Sequence, residues 1–346
     1  FLNSSTNRIS SFIDEFVEKT KLPYKHHSIL FAPMEGVTDP TYRKTVMGLF
    51  PDWDMFATDF LRVPTEGHIT HKKAIEHFGE KIFNDPELKI KTTYQILTTP
   101  RANTNQTVEV LNDLEFNHLD LNLGCPSRRV NAHLGGSYLL SDTKLLERVV
   151  CNIRKNFNRC FTVKIRAGYK DDTEFDNIIK TLDGCGVDAI TIHGRTKVEM
   201  YKGFAQWKYF SRACELTNIP IIANGDIWTP EDIEKIFTET NCYGIMCGRS
   251  AMKTPWLAQL YYLYKKKEVT LPEERLKLRT KLNNIYFSSL EKNFSEILDE
   301  AKTLKKLKSL IRYSFEDYSG GEDFKRKLLR SSDFNFFTYE INNIYQ

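Results

Sequence analysis

The sequence predicts an α/β fold, a TIM (β/α)8 barrel followed by a C-terminal all-helical domain. Eight short β-rich runs recur at intervals long enough to hold a helix, and helical periodicity fills most of those intervals. The length of 346 residues also suits a barrel of about 250 residues with a small appended domain. The predicted strands cover 28–32, 55–58, 92–96, 118–122, 161–165, 189–193, 220–223 and 244–247. Helical spacing of apolar residues appears at 145–156, 175–185 and 230–238. Thr229-Pro230-Glu231-Asp232 is a helix start, with a capping hydroxyl, Pro at the first position and acids in the first turn. Strands alternating with helices argue for parallel pairing, and their number argues for closure into a barrel. The interval 59–91 matches a regular helix least well. Residues 1–26 read as an amphipathic lead-in helix, with Ile9, Phe12, Ile13 and Phe16 on one face. The barrel then spans 27–257 and the helical domain 258–346.

Composition narrows the function classes. A hydrophobic fraction of 41% can build a sizeable core, and 27% charged residues is ordinary for a soluble chain. No apolar run reaches the roughly 18 residues that cross a bilayer, and the first 25 residues lack the continuous apolar stretch of a signal peptide. Seven cysteines, an odd number without a C-x-x-C pair, resemble neither a secreted disulfide framework nor a zinc site. A cytoplasmic, metal-free monomer is expected. The net charge of +4 is unevenly placed: 17 Lys and Arg face 13 Asp and Glu after residue 260, so the whole excess lies in the last quarter. A polyanion would meet that part first, unless the excess is only a solvated helical face.

The active site of such a barrel lies at the C-terminal ends of its strands. The residues there are polar and glycine-rich beyond what packing requires. The first strand runs into Ala32-Pro33-Met34-Glu35-Gly36, the third contains Gln95, and the fourth leads into Asn122-Leu123-Gly124-Cys125-Pro126. The fifth carries Lys164 and Arg166, the sixth ends in His193-Gly194-Arg195-Thr196, and the last two run into Asn224-Gly225-Asp226 and Gly248-Arg249. Gly225 and Gly248 let the backbone approach a phosphate, and Arg249 can pair with it in a bidentate manner. Each glycine alone could be a tight turn. Lys164 inside a buried strand either snorkels outward or faces an anionic or electron-rich ligand.

Six segments carry a family resemblance: Ala-Pro-Met-Glu-Gly-Val-Thr-Asp (32–39), Leu-Asn-Leu-Gly-Cys-Pro-Ser (121–127), Leu-Gly-Gly-Ser-Tyr-Leu-Leu (134–140), Val-Lys-Ile-Arg (163–166), Ile-His-Gly-Arg-Thr (192–196) and Ala-Asn-Gly-Asp-Ile (223–227). In order and spacing they resemble the tRNA-dihydrouridine synthases. The resemblance implies FMN held by Pro33, Met34, Glu35, Gln95, Lys164, His193, Asn224, Gly225, Asp226, Gly248 and Arg249. It implies hydride delivery from the reduced flavin to C6 of a uridine, protonation of C5 by Cys125, and NADPH as reductant. A thiol with an ordinary pKa of about 8.5 is protonated at neutral pH and needs no activating base. The alternative for Cys125 is an inert core thiol, which its place between Gly124 and Pro126 at a strand end disfavours.

The resemblance also puts tRNA against the protein. Asp59 and Asn122 belong with the substrate, while Arg128, Arg129 and Arg195 stand to meet RNA phosphates or the uracil ring. Lys302, Lys305, Lys306, Lys308 and Arg312 form a basic stripe on a predicted helix, interleaved with Leu304, Leu307 and Ile311. Met-Glu-Gly-Val and Thr58-Asp59-Phe60 look most like the bacterial branch acting on uridine 16. Members of that branch usually carry Glu at the place of Asp59 and more glycine across 131–134. A small-molecule pyrimidine flavin dehydrogenase of the dihydroorotate or dihydropyrimidine type shares the barrel and phosphate site but needs no basic helical tail. An RNA-binding barrel without flavin would have no use for Lys164, His193 and Arg249.

Overall fold

The structure is a computed structural model that describes residues 21–269, 271–315 and 320–343. Residues 1–20 of the predicted lead-in helix lie outside these, and residues 21–26 are not helical. Nine parallel strands form one sheet: β1 (Ser28–Phe31), β2 (Met55–Ala57), β3 (Leu61–Arg62), β4 (Thr92–Leu97), β5 (His118–Leu123), β6 (Cys160–Arg166), β7 (Ala189–His193), β8 (Ile221–Asn224) and β9 (Gly244–Cys247). Eight of them close a ring, because β1 pairs with both β2 and β9 while β2 pairs with β4. The two-residue β3 extends the far end of β4, with Leu61 opposite Ile96. A TIM barrel is thus formed, at the strand positions expected from sequence.

The irregular interval before β4 breaks into short helices, His71–Phe78, Glu80–Phe83 and Pro86–Ile90. Gly79, at φ +101, ends the first, and Asp85 caps the third by accepting from Glu87 N and Leu88 N. A Cβ at Gly79 would lie 2.6 Å from Pro40 Cβ, so no larger residue fits there. The helix Pro230–Glu239 carries the anticipated capping hydroxyl, and Thr229 and Asp232 bond reciprocally in a full capping box.

Alternation along the strands sorts the core into two compartments. Ile29 and Phe31 point outward into the large core beneath the helices, while Leu30 and Ala32 point inward with Met55, Ile222 and Met246. Tyr24 closes the lower end of this inner cluster, its carbonyl accepting from Tyr243 Oη at 3.1 Å. The opposite inner wall, β4 to β6, is polar. Outside the ring, helices Thr143–Asn156 and Phe175–Gly184 lie side by side, and Cys151 forms a disulfide with Cys185. Thirty-four residues separate the two thiols, and the cysteine pattern in the sequence carried no sign of the pair.

The helix Leu257–Lys265 packs against the last barrel helix, and the tail follows with Pro272–Ser295, Glu300–Ile311, Gly321–Arg330 and Phe334–Asn343. The long helix 272–295 lies along Pro40–Leu49, the first helix of the barrel. Buried Tyr286 donates to Tyr42 Oη at 3.1 Å, and Asn293 donates to Thr45 Oγ1 at 2.8 Å. Phe287, Leu290, Phe294, Leu307 and Phe315 join the tail to the main core without a gap. Replacing Tyr286 with Ala should therefore cost about 3–5 kcal/mol in urea unfolding. New protease cuts should appear within 272–343 while the barrel stays resistant.

Candidate active site

The C-terminal ends of the strands surround a cleft of about 290 Å³. Ala32, Pro33, Met34 and Glu35 wall it from β1, and Gly248 and Arg249 from β9. Gln95, Asn122 and Cys125 come from β4 and β5, Lys164 from β6 and His193 from β7. Asn224, Gly225 and Asp226 follow β8, and Asp59 follows β2. The strand-end residues singled out from the sequence thus share one concavity, because every parallel strand ends on the same rim.

Cys125 sits just past β5 and is 8% exposed. Its loop is held from both sides. Asn122 Oδ1 accepts from the N–H groups of Gly124 and Cys125 at 3.1 and 3.0 Å, and the Cys125 carbonyl accepts from Ser137 Oγ at 2.8 Å and Asn131 Nδ2 at 3.1 Å. Burial pushes the thiol above its ordinary range, which keeps it protonated at neutral pH. The glycine-poor stretch 131–134 has a structural counterpart: Leu134 takes a left-handed φ of +61 that glycine would adopt without strain.

Lys164 projects inward and donates to Asn224 Oδ1 at 2.9 Å. Burial lowers its pKa to about 8, with the Arg166 charge adding to the shift and Asp120 opposing it. His193 is neutral, because burial first and the surrounding cations second push its pKa well below the ordinary value. Its Nδ1 is buried without a hydrogen-bond partner. At Gly225, φ is +116 and a Cβ would meet Ala205 Cβ at 2.9 Å, so only glycine fits. At Gly248 the added carbon would find nothing closer than Ala32 Cβ at 3.7 Å, leaving bare backbone toward the cleft. A buried ammonium, an unpartnered imidazole nitrogen and glycine-lined backbone at β8 and β9 fit a flat, electron-rich ligand carrying a phosphate.

A family profile described as Dihydrouridine synthase (Dus) matches residues 30–334. The chain belongs to the dihydrouridine synthase family. It is 31% identical to the tRNA-dihydrouridine(16) synthase of Haemophilus influenzae, over 67% of this chain and 76% of that one. It is 32% identical to the tRNA-dihydrouridine(16) synthase of Pseudomonas syringae pv. tomato, over 76% and 84%. The tRNA-dihydrouridine synthase B of Pasteurella multocida is 30% identical, over 66% and 67%.

In this member of the family several residues stand elsewhere than the sequence suggested. Arg195 is not at the RNA surface. It is 2% exposed and pairs with both oxygens of Asp226, at 3.2 and 2.6 Å, while also donating to the carbonyls of Lys202 and Gly203. Its spacing after His193 gave no hint of this, because the partner follows a different strand. Asp226 also accepts from Arg249 Nη2 at 3.0 Å and Ala205 N at 2.8 Å. A carboxylate would repel a phosphate, so Asp226 serves by holding Arg249. Glu35 reaches the rim, where it pairs with exposed Arg62 at 3.2 Å. Lys306 is withdrawn from the basic stripe: it pairs with Asp39 at 2.6 Å and ties the tail to the barrel. Lys302 pairs with Asp299 at 2.8 Å but remains exposed, as do Lys305, Arg312, Arg128 and Arg129.

Other contributors had been given no role, Arg166 being noted only for its place on β6. Arg166 donates to the carbonyls of Gly124, Thr196 and Met200, tying the Cys125 loop to the loop after β7, and its guanidinium lies over Tyr201. The signal was available, since Lys164 and Arg166 share one face of β6. Tyr201, Trp228 and Tyr313 complete the mouth, and Tyr313 comes from the helical tail. Arg195→Ala should leave the Asp226 carboxylate short of its principal partner. The expected loss is about 3–5 kcal/mol of stability, read from a urea transition; a stable variant with weakened RNA binding alone would restore Arg195 to the surface.

Proposed function

We propose that this chain reduces uridine in tRNA to 5,6-dihydrouridine, with FMN as bound cofactor, NADPH as reductant and uridine 16 as target. The observation that carries the reading is Cys125, a thiol kept protonated by burial on the wall of a cleft that Lys164, His193 and the backbone of Gly225 and Gly248 also line. Two of the relatives named above bear uridine 16 in their names.

Bound FMN, recharged by NADPH, supplies the hydride that C6 of the uracil ring takes up. The protein's own residues do the rest. Cys125 gives its proton to C5, which completes saturation of the C5–C6 bond, and the thiolate regains a proton from water. Asn122 holds the Cys125 backbone, so the thiol meets the base from a fixed position. Lys164 offers positive charge where the cofactor ring becomes electron-rich, and Arg249, braced by Asp226, offers a guanidinium to its phosphate. Pro33, Met34 and Gln95 line the walls around it. The base must leave its stack, at a cost of about a few kcal/mol. Tyr201, Trp228 and Tyr313 at the mouth present aromatic faces to receive it and its neighbours.

Purified protein should be yellow and release FMN on denaturation. Cys125→Ala should keep FMN, tRNA affinity and NADPH-driven flavin reduction, yet lose nearly all dihydrouridine formation at position 16 of a tRNA transcript. Wild-type product from that variant would remove Cys125 from the chemistry. The thiol proton is present below its raised pKa and lost above it, so the Cys125-dependent step should persist past the ordinary thiol range of about 8.5. An earlier decline near pH 8 would belong to Lys164 and show as flavin loss.

Lys302, Lys305 and Arg312 are the residues of the predicted stripe that stay exposed. Neutralising these three, with Lys306 left in its docking role, should weaken tRNA binding without changing flavin content. The salt dependence should flatten by about 0.7 to 0.9 log units per log of salt for each phosphate that is no longer neutralised. An unaltered slope would assign RNA binding to the barrel loops and Arg128 and Arg129.

A further inference from the structure

The inner wall from β4 to β6 carries a hydrogen-bonded chain whose direction can be followed from end to end. Asp120, on β5, is 6% exposed. Its Oδ1 accepts from Thr162 Oγ1 at 2.6 Å and its Oδ2 from Gln95 Nε2 at 2.8 Å. A hydroxyl has one proton, so Thr162, having given it to Asp120, accepts from His118 Nε2 at 2.9 Å. His118 Nδ1 then accepts from Thr93 Oγ1 at 2.8 Å. The imidazole is neutral, as this polarity requires, because burial lowers its pKa to about 3.

On the other side the same logic runs toward the cleft. With its nitrogen committed to Asp120, Gln95 offers Oε1, which accepts from Asn122 Nδ2 at 2.9 Å. Asn122 therefore turns Oδ1 toward the N–H groups of Gly124 and Cys125. A reversed Asn122 would aim an NH2 group at two N–H donors in a buried site. The two ends of an amide are nearly the same shape, so packing does not choose between them. The choice is made from both ends: the Gly124 and Cys125 N–H groups can only donate, and Asp120 at the far end accepts at both oxygens, so the Gln95 and Asn122 amides agree with the two.

We propose that Asp120 is a positioning residue of the Cys125 loop: it anchors the amide of Gln95, through it the side chain of Asn122, and so steadies the backbone that carries the thiol. The proposal rests on the reading of Cys125 as proton donor, and it extends the site one layer below the cleft. Burial raises the pKa of Asp120, while the hydrogen bonds from Thr162 and Gln95 and the charge of Lys164, on neighbouring β6, favour its carboxylate form.

Asp120→Asn keeps the size of the side chain but puts a donor where only acceptors stood. Hydrogen exchange of the peptide covering 121–127 should show the Gly124 and Cys125 amides losing protection. Dihydrouridine formation should fall about 10- to 100-fold in kcat. KM for tRNA, bound flavin and NADPH-driven flavin reduction should stay at the wild-type level. Combining Asp120→Asn with Gln95→Glu restores the direction: the new amide at 120 donates to the new carboxylate at 95, whose second oxygen accepts from Asn122. Protection of the two amides should return in this double variant, even if the single variant fails to fold. Unchanged exchange and kcat in Asp120→Asn would overturn the proposal. A double variant that stays unprotected or does not fold would do the same, since direction is what it restores. Full activity of Cys125→Ala would instead remove the proton-donor reading and leave the exchange result standing.

Discussion

Closing eight parallel strands into a ring turns every second side chain into a space with little water, and a polar group placed there must find its partners among the others. Between β1, β2, β8 and β9 the chain avoids the problem with Leu30, Met55, Ile222 and Met246. Between β4 and β6 it accepts it, with Thr93, Gln95, His118, Asp120, Asn122, Thr162 and Lys164 facing inward. Each of these finds a partner at hydrogen-bond distance. An unpaired member would cost about 1–3 kcal/mol, more if charged, so the network is held together by the penalty of breaking it. The upper end of this wall is where the cleft begins.

Above the strands the loops are joined by guanidinium groups more than by apolar packing. Arg166 links the Cys125 loop to residues 196 and 200, Arg195 links residues 202 and 203 to Asp226, and Asp226 links on to Arg249. The rim from β5 round to β9 is thus one run of charge-assisted contacts. Arginine suits this task because its planar fork reaches several acceptors at once and stays charged when buried. Such bracing gives loop residues the positional certainty that a proton donor and a phosphate ligand both need.

The helical tail belongs to the same construction. It shares the barrel's core through Phe287, Leu290 and Phe294, and Lys306 pins it to Asp39 beside the first strand loop. That docking brings Tyr313 to the mouth of the cleft. A macromolecule entering the cleft therefore meets residues from both parts of the chain at once.

Strand positions, barrel closure and the ring of polar strand ends were legible in the sequence, because each is encoded by local periodicity and by the rule that parallel strands end on one rim. Cys125, Lys164, His193 and the glycines at β8 and β9 were legible as residues of that rim for the same reason, their place at the strand ends. Partnerships were not legible. The Asp226 salt bridges redirected Arg195, Asp39 captured Lys306, Cys151 met Cys185, and Tyr313 arrived from the helical tail. In each case the partner lies on a different element, and its approach depends on how helices and loops pack around the ring. The direction of the Asp120 chain was hidden most deeply, because it exists only where three adjacent strands set their side chains in register. Sequence alone determined which residues end each strand; the tertiary structure decided what each of them holds, since a hydrogen bond needs both atoms within about 3 Å and no local pattern supplies that distance.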